Sequence, residues 1–405
     1  MSFLFDAMLN YFRNKQARLI QAAPEKFIRE QYLKKILSPN RLVGIIGQRG
    51  VGKTTLLLQY LKTNFSMSEF LYVSADDIYI ADTTLYDLAD EFSIIGGKVI
   101  VFDEIHKYKN WAQELKNIYD SFPEMVIRFS GSSMLNILYE KYDLSRRCVT
   151  IHMETLSFHE FLELSGKKIL ARYSLDEIIK AGSQISLDLA LSNTNLYSNF
   201  LDYLKYGAYP FFIEDRNEFK TKLFNALQKI INEDIPSCNK MEYGHVSVFK
   251  RLIAKLIESG VPYKVNIAKL SRTLGITPPT LNTYLDILND TKIFHSIKKY
   301  STKISRKPEK LLFNNTNILY TFAEEFGVDA NIGTVRETFF AGCFSQIYYS
   351  DIGDFRVQDM IFEIGGKNKT FNQIHDVKNS YLVIDTNYTT DTRKIPIWLF
   401  GLIDY

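Results

Sequence analysis

The most constraining feature of the sequence is a glycine-rich segment that joins a short apolar run to a run of helix-forming residues. Residues 44–55 read GIIGQRGVGKTT, and residues 47–54 within them match the pattern G-x-x-x-x-G-K-[ST]. In that pattern the glycines let backbone N–H groups turn toward an anion, and the next helix presents its positive N-terminus to the same anion. The segment therefore predicts a strand, a phosphate-binding loop and a helix in direct succession.

Side chains of this loop have defined tasks in phosphate binding. Lys53 can reach the β- and γ-phosphate oxygens of a nucleoside triphosphate, and the Thr54 hydroxyl can ligate Mg²⁺. The other contacts come mainly from backbone N–H groups. The predicted nucleotide-binding residues are Gly47, Gln48, Arg49, Gly50, Val51, Gly52, Lys53, Thr54 and Thr55.

A second acidic motif follows at the end of the apolar run KVIVFDE, residues 98–104. We expect Asp103 to hold Mg²⁺ through water, together with Thr54, and Glu104 to orient and deprotonate the attacking water. Adjacent Asp and Glu distinguish the chain from GTPases and small-molecule kinases. They favour ATPases with one extra strand between the loop strand and the acidic strand, and residues 69–74 would be that strand.

The run RFSGSS, residues 128–133, predicts a polar side chain between the two motifs. Such a group can sense the γ-phosphate and the attacking water. Ser132 is our first candidate for this role, and Ser130 and Ser133 are the alternatives.

Two arginines, Arg146 and Arg147, stand immediately before the last predicted strand of this region. An arginine at such a place can complete the site of a neighbouring subunit, which would imply a homo-oligomer. An ordinary exposed basic pair is the alternative interpretation.

The first 150 or so residues alternate apolar runs with helical patterns. Near-continuous apolar runs are typical of parallel strands buried on both faces, and their alternation with helices predicts an open α/β sheet. The sequence DEIH also matches DExH helicases, but nothing after residue 157 repeats the α/β pattern as their second lobe requires. The predicted strands are 41–47, 69–74, 98–103, 125–130 and 148–153.

Composition limits the remaining classes of protein. The chain has 405 residues, 46% of them hydrophobic and 23% charged, which is typical of globular proteins. Its net charge of +3 gives no general preference for nucleic acid or membrane. No apolar run is long enough for a membrane helix, the N-terminus is a poor signal peptide, and three dispersed cysteines fit neither a disulfide framework nor a metal cluster. A cytoplasmic protein with no membrane partner is expected.

Taken together, the motifs resemble those of a group of prokaryotic AAA-type ATPases whose C-terminal half is a domain of unknown function. The resemblance covers nearly the whole chain and implies MgATP hydrolysis by an AAA-type P-loop domain with an open parallel sheet. It further implies a helical lid, a winged helix and a mixed α/β, restriction-endonuclease-like terminal domain, and it makes Arg147 the matching arginine. The motifs, in order, are GQRGVGKTT, VIVFDEIHKYKNW, FSGSS, LSRR, LSFHEFL, YLKYGAYP and LLFNNTNILY.

We accordingly predict four parts. An ATPase core with N-terminal helices spans 1–156, a helical lid 157–245, a winged helix 246–322 and a nuclease-like domain 323–405. The helix-turn-helix pattern lies at 266–290.

The segment after the helix-turn-helix, the predicted wing at 292–310, is rich in basic residues and can bind DNA phosphates without sequence preference. The second helix lacks Lys and Arg, which disfavours base reading in the major groove. The alternative is a winged helix used for packing or protein contacts. The basic residues are Lys292, Lys298, Lys299, Lys303, Arg306, Lys307 and Lys310, against Glu309 alone.

The terminal domain offers Glu337, Asp354, Glu363 and Lys367 in the order of a restriction-endonuclease-like site, where carboxylates hold Mg²⁺ and a lysine assists the water. The usual lysine position, two residues after the second acid, is Gly365 here. We expect the fold without active cleavage, as a scaffold that binds a partner.

The sequence thus predicts an ATPase that uses ATP and Mg²⁺ to move its C-terminal module. The alternatives are a nucleotide-switched, DNA-associated regulator and a protein-partner scaffold with weak or no ATP turnover.

Overall fold

The computed structural model describes residues 2–131, 144, 146–236, 243–259, 263–300 and 308–404, without the side chains of 2–6, 243–245 and 263. The chain divides into two compact units, Met1–Thr155 and Leu156–Tyr405. Among the described helices, none combines the length and the apolar character that crossing a bilayer requires.

The first unit is built on a parallel sheet of five strands in the order β2-β3-β4-β1-β5. Nearly every residue of the first three strands is buried, which confirms the prediction of an open parallel α/β sheet. The strands are β1 (Leu42–Ile46), β2 (Phe70–Ser74), β3 (Val99–Asp103), β4 (Val126–Gly131) and β5 (Cys148–His152).

One detail of this sheet was wrongly predicted. The strand that lies between the loop strand β1 and the acidic strand β3 is β4, and β2 lies at the edge of the sheet. Val99 of β3 is in register with Val126 of β4, and Leu42 of β1 is in register with Ile127. Because chain order does not determine strand order in a parallel sheet, the apolar pattern of residues 69–74 could not place β2.

Helices cover this sheet. The N-terminal helix α1 packs against the edge strand β2, and α3 begins directly after the glycine-rich loop. Phe12 of α1, Phe102 of β3 and Phe129 of β4 belong to one buried apolar core. The helices are α1 (Ser2–Ala22), α2 (Glu30–Ile36), α3 (Lys53–Asn64), α4 (Leu85–Ile94) and α5 (Trp111–Ser121).

The second unit begins with helices. Two of them start with a complete capping box, Ser157 with Glu160 and Ser174 with Glu177, which satisfies the free N–H groups of the first turn. The helices are α6 (Phe158–Leu164), α7 (Leu175–Ser192), α8 (Leu196–Tyr206), α9 (Phe219–Lys229), α10 (Tyr243–Glu258), α11 (Ile267–Leu274), α12 (Pro278–Asp290), α13 (Thr316–Glu325) and α14 (Ile332–Gly342).

The middle of this unit contains a helical turn and a small antiparallel sheet. Gly275 ends α11 in the left-handed conformation with φ of 70°, and Thr277 caps α12 ahead of Pro278. The sheet has the order β6-β8-β7. Its strands are β6 (Tyr263–Lys264), β7 (Phe294–Ile297) and β8 (Lys310–Phe313). The assignment of this region as a winged helix stays a prediction.

The end of the chain forms a mixed sheet in the order β13-β12-β11-β10-β9. The strands are β9 (Tyr348–Tyr349), β10 (Phe355–Val357), β11 (Met360–Gly366), β12 (Ser380–Asp385) and β13 (Lys394–Pro396). The apolar run of residues 395–403 does not form one strand, because β13 ends at Pro396 and Ile397–Leu402 forms a 3₁₀ helix. A short buried helix and a buried strand have the same continuous apolar pattern.

A buried asparagine joins two distant parts of this unit. Asn317 of α13 donates from Nδ2 to the carbonyl oxygens of Tyr203 (3.0 Å) and Leu204 (2.9 Å) in the last turn of α8. Its Oδ1 accepts a hydrogen bond of 2.8 Å from the N–H of Ala208. Asn317 therefore caps the C-terminal end of α8 from more than one hundred residues away.

Candidate functional site

The glycine-rich loop is closed tightly between β1 and α3. Gly50 and Gly52 have φ of 82° and 99°, which L side chains rarely adopt. A Cβ atom on Gly47 would lie 2.3 Å from the carbonyl oxygen of Met153, which directly follows β5. The glycines at these positions are therefore required by backbone conformation and by close approach.

Lys53 lies over this loop as the first residue of α3. Its side chain is buried, and Nζ donates to the carbonyl oxygens of Gly47 (3.0 Å) and Gln48 (2.8 Å). The ammonium group thus sits inside the curve of the loop, close to the N-terminus of α3. Both features favour an anion at this place.

The two sequence motifs meet at Asp103. The Thr54 hydroxyl donates to Asp103 Oδ2 at 2.7 Å, although the two residues are 49 positions apart. Asp103 ends β3 and is only 2% exposed. A hydroxyl and a carboxylate in contact beside the glycine-rich loop are suitable ligands for Mg²⁺ or its water.

Glu104 occupies an unusual backbone conformation beside them. Its φ of 52° lies in the left-handed region, which costs a non-glycine residue about 1–3 kcal/mol. Its carboxylate is 3.7 Å from Arg49 Nη1 and 3.6 Å from His106 Nε2, and its N–H donates to Ser130 Oγ at 3.1 Å. The chain leaves β3 with this turn, so Glu104 stands next to Asp103 and faces the glycine-rich loop through Arg49.

The serine candidates have different outcomes. Ser132 and Ser133 lie outside the described residues. Ser130 is fully buried at the end of β4, and its hydroxyl donates to Asp103 Oδ1. It therefore contacts the acidic motif directly.

Tyr72 joins the same site, and the sequence analysis missed it. Its hydroxyl donates to Asp103 Oδ2 at 2.6 Å, and its side chain is buried. Burial and the Asp103 carboxylate together raise the pKa of Tyr72 above its ordinary value, so the hydroxyl stays protonated and donates. Tyr72 can be assigned to the site only when β2 is known to lie beside β3.

Arg147 pairs within its own unit. Its Nε and Nη2 atoms lie 2.9 and 3.0 Å from the two carboxylate oxygens of Asp120. The hydrogen bonds raise the pKa of Arg147 and lower the pKa of Asp120. A role of Arg147 in a neighbouring subunit stays a prediction. Arg146 is exposed.

The predicted carboxylates of the terminal domain come together around two lysines. Lys310 Nζ contacts Glu337 and lies 3.4 Å from Asp354 Oδ1. Lys369 Nζ lies 2.5 Å from Glu363 Oε1. Each of the two cations faces at least one carboxylate, and we call these five residues the carboxylate–lysine cluster.

Two sequence assignments need correction here. Lys367 is exposed, and the lysine that faces Glu363 is Lys369, whose side chain packs over Gly365. Lys310, counted in the basic wing, is 3% exposed and belongs to the carboxylate–lysine cluster. Lys303, Arg306 and Lys307 lie outside the described residues.

Two carboxyl groups of this cluster, those of Glu337 and Glu363, hold protons more strongly than usual. Burial, with the charge of Asp354 second, raises the pKa of Glu337 to about 7. Burial also raises the pKa of Glu363. Over the described part of the chain, no three His, Cys, Asp or Glu side chains are grouped as metal ligands would be.

Comparison with known families agrees with the geometry of the first site. Residues 39–162 match the family model of an AAA domain, a segment that contains the loop, Asp103, Glu104 and the strands β1 to β5. The chain carries an AAA domain. Residues 197–329 match a second family model, a domain of unknown function (DUF8612), so the AAA domain is joined to a C-terminal region of unknown function.

Similar proteins are found in archaea. An uncharacterized protein of Methanocaldococcus jannaschii is 29% identical over 306 residues, 71% of this chain and 63% of its own length. A second from the same organism is 24% identical over 276 residues, 66% of this chain and 58% of its own length. The chain thus spans about three fifths of the length of these two relatives.

Among solved structures, a Walker-type ATPase of Pyrococcus abyssi is similar to this chain, with a sequence identity of 12% and a TM-score of 0.39. The similarity covers 74% of this chain and 98% of the other chain.

Proposed function

We propose that the AAA domain binds and hydrolyses MgATP. The observation that carries the proposal is the meeting of Thr54, from the glycine-rich loop, with Asp103 and its neighbour Glu104, from β3. Hydrolysis of a nucleoside triphosphate needs a phosphate cradle, a metal ligand pair and a base, and these residues supply one of each.

The cradle consists of the loop backbone, the N-terminus of α3 and Lys53. Lys53 already faces two loop carbonyls, so a phosphate oxygen would replace these partners of its ammonium group. Thr54 and Asp103 would hold Mg²⁺, which when bound neutralises charge on the phosphate oxygens. The pair fits this task because both oxygens face each other at 2.7 Å and Asp103 is buried.

Glu104 is the candidate base. Its left-handed backbone is fixed by its own N–H, which is bonded to Ser130. Arg49 and His106 lie on its carboxylate side and would orient the carboxylate toward a water molecule. A general base needs to be held in place, and the contacts of Glu104 with Arg49 and Ser130 supply this support.

The test is ATP hydrolysis by the wild type and by Glu104→Gln, with Glu124→Gln as a control because Glu124 is an exposed glutamate of the same unit. Glutamine keeps the shape and cannot accept the proton, so we expect turnover to fall about 10²–10⁴-fold. Binding of a fluorescent ATP analogue should be retained. Wild-type turnover in Glu104→Gln would refute the role of Glu104.

We further propose that turnover changes the state of the C-terminal unit. The binding partner of the C-terminal unit is either DNA or a protein. The described basic residues give limited support for DNA, because Lys310 is buried and Lys299 contacts Asp351. Adding DNA to the same hydrolysis assay separates the two: stimulation by DNA favours a DNA-associated role, and unchanged turnover favours a protein partner.

A further inference from the structure

Three hydroxyl groups converge on the carboxylate of Asp103. Thr54 and Tyr72 both donate to Oδ2, at 2.7 and 2.6 Å, and Ser130 donates to Oδ1. A buried carboxylate needs such donors, because losing water without replacement costs several kcal/mol. Only Thr54 belongs to the glycine-rich loop, so the other two donors are attached to the sheet.

Tyr72 reaches Asp103 because of the register between β2 and β3. Ser74 is the partner of Asp103 in this register, and Tyr72 lies two residues earlier, on the same face of the sheet. The long phenol side chain spans that offset and places its hydroxyl on the carboxylate. Phenylalanine would fill the same space and would lack only this hydrogen bond.

The backbone of Tyr72 is itself fixed by helix α1. As the edge strand, β2 presents unpaired backbone groups on its outer side. The Tyr72 N–H donates to Gln16 Oε1 at 2.9 Å, and Gln16 Nε2 donates to the carbonyl of Phe70 at 3.3 Å. Gln16 is 1% exposed, and its amide pairs with residues 70 and 72 as a peptide group of a neighbouring strand would.

The attachment of α1 continues beyond Gln16. Lys15 Nζ and the Tyr11 hydroxyl both contact the carboxylate of Asp77, just after β2. Two successive turns of α1 therefore hold β2, which carries Tyr72, and the segment directly after it. The connection runs from α1 through Gln16 and the Tyr72 backbone to the Tyr72 hydroxyl and Asp103.

We infer that Tyr72 is a positioning residue for the metal-holding carboxylate Asp103, and that α1 controls its position through Gln16. The inference rests on the proposed MgATP function. If the Thr54 oxygen ligated the metal, Tyr72 and Ser130 would be the donors from the sheet that keep Asp103 in place. A displacement of α1 would therefore weaken the metal-dependent part of nucleotide binding and leave the phosphate cradle itself intact.

The experiment compares Tyr72→Phe and Gln16→Leu with wild type. The matched controls are Tyr60→Phe and Gln59→Leu, because Tyr60 and Gln59 are equally buried in α3 and neither has Asp103 or β2 among its described hydrogen-bond partners. Three quantities are measured: the dissociation constant of fluorescent ADP in Mg²⁺ and in EDTA, the Mg²⁺ concentration for half-maximal turnover, and the melting temperature.

We expect Tyr72→Phe to raise the half-maximal Mg²⁺ concentration and the Mg²⁺-dependent dissociation constant about tenfold, the effect of losing a hydrogen bond to a charged group. Gln16→Leu should change both in the same direction by about threefold, as loss of a neutral hydrogen bond does. Binding in EDTA should not change in either variant. A purely structural tyrosine would lower only the melting temperature.

Unchanged Mg²⁺ dependence in a folded Tyr72→Phe protein would overturn the inference and leave the proposed function standing. Wild-type protein that binds no nucleotide would overturn both. If Tyr72→Phe does not fold, the Mg²⁺ dependence of Gln16→Leu tests the inference instead. This variant leaves the tyrosine in place and removes only the side chain that binds its backbone N–H.

Discussion

Replacement of Glu337 by glutamine tests the carboxylate–lysine cluster. Burial and Asp354 raise the pKa of Glu337 from 4.5 to about 7, so between these pH values the folded chain holds a proton that the unfolded chain has released. Folding stability from this group is present below pH 4.5 and is lost as pH rises through about 7. Glutamine cannot titrate, so the variant lacks this loss.

The size of the effect follows from the shift. At about 1.4 kcal/mol for each pKa unit, the difference between 4.5 and 7 corresponds to about 3 kcal/mol. We therefore expect the free energy of unfolding of Glu337→Gln, relative to wild type, to increase by about 3 kcal/mol between pH 5 and pH 8. Taking this difference removes the contributions of other titrating groups that both proteins share.

Tryptophan fluorescence in urea can follow the relevant unit alone. The chain has two tryptophans, and Trp111 belongs to the first unit while the fully buried Trp398 belongs to the second. A Trp111→Phe background leaves Trp398 as the reporter of the second unit. Glu325→Gln, at an exposed glutamate of α13, is the control and should give a difference that does not change with pH. If the free energy of unfolding of Glu337→Gln, relative to wild type, also stays the same between pH 5 and pH 8, the reasoning is refuted.

Two further substitutions test other parts of the structure. Gly47→Ala places a Cβ atom 2.3 Å from the Met153 carbonyl oxygen, so we expect destabilisation of about 1–3 kcal/mol and weaker binding of fluorescent ATP, measured by urea unfolding and anisotropy. Equal binding by the variant would contradict the close approach. Lys310→Met leaves Glu337 and Asp354 without their buried cation, and it should destabilise the second unit by about 3–5 kcal/mol, again measured through Trp398. Wild-type stability would show that the ion pairs contribute nothing.

The glycine-rich loop, the strand β1 before it and the acidic strand β3 could be predicted from the sequence because their signals are local. The glycines, Lys53 and Thr54 follow one another within eight residues, and Asp103 and Glu104 directly end an apolar run. The meeting of Thr54 with Asp103 then follows from the rule that parallel strands end at one edge of the sheet.

The remaining parts of the site depend on contacts that no local pattern records. To predict Tyr72 as part of the site, the position of β2 in the sheet must be known, and chain order does not give that position. Lys310 looked like one more basic residue of a wing, yet β8 carries it into a buried cluster. Lys369 replaced Lys367 because the chain turns after the two glycines that end β11, which brings the later lysine back over Gly365.

The long reach of Asn317 has a consequence for synthesis of the chain. The last turn of α8 has a capping partner 113 and 114 residues later in sequence, so its hydrogen bonds to Asn317 form only after Asn317 has left the ribosome. The first unit ends at Thr155, and the described strands of its sheet pair only with one another. We expect co-translational folding in two steps, with the first unit native while the second unit is still being translated.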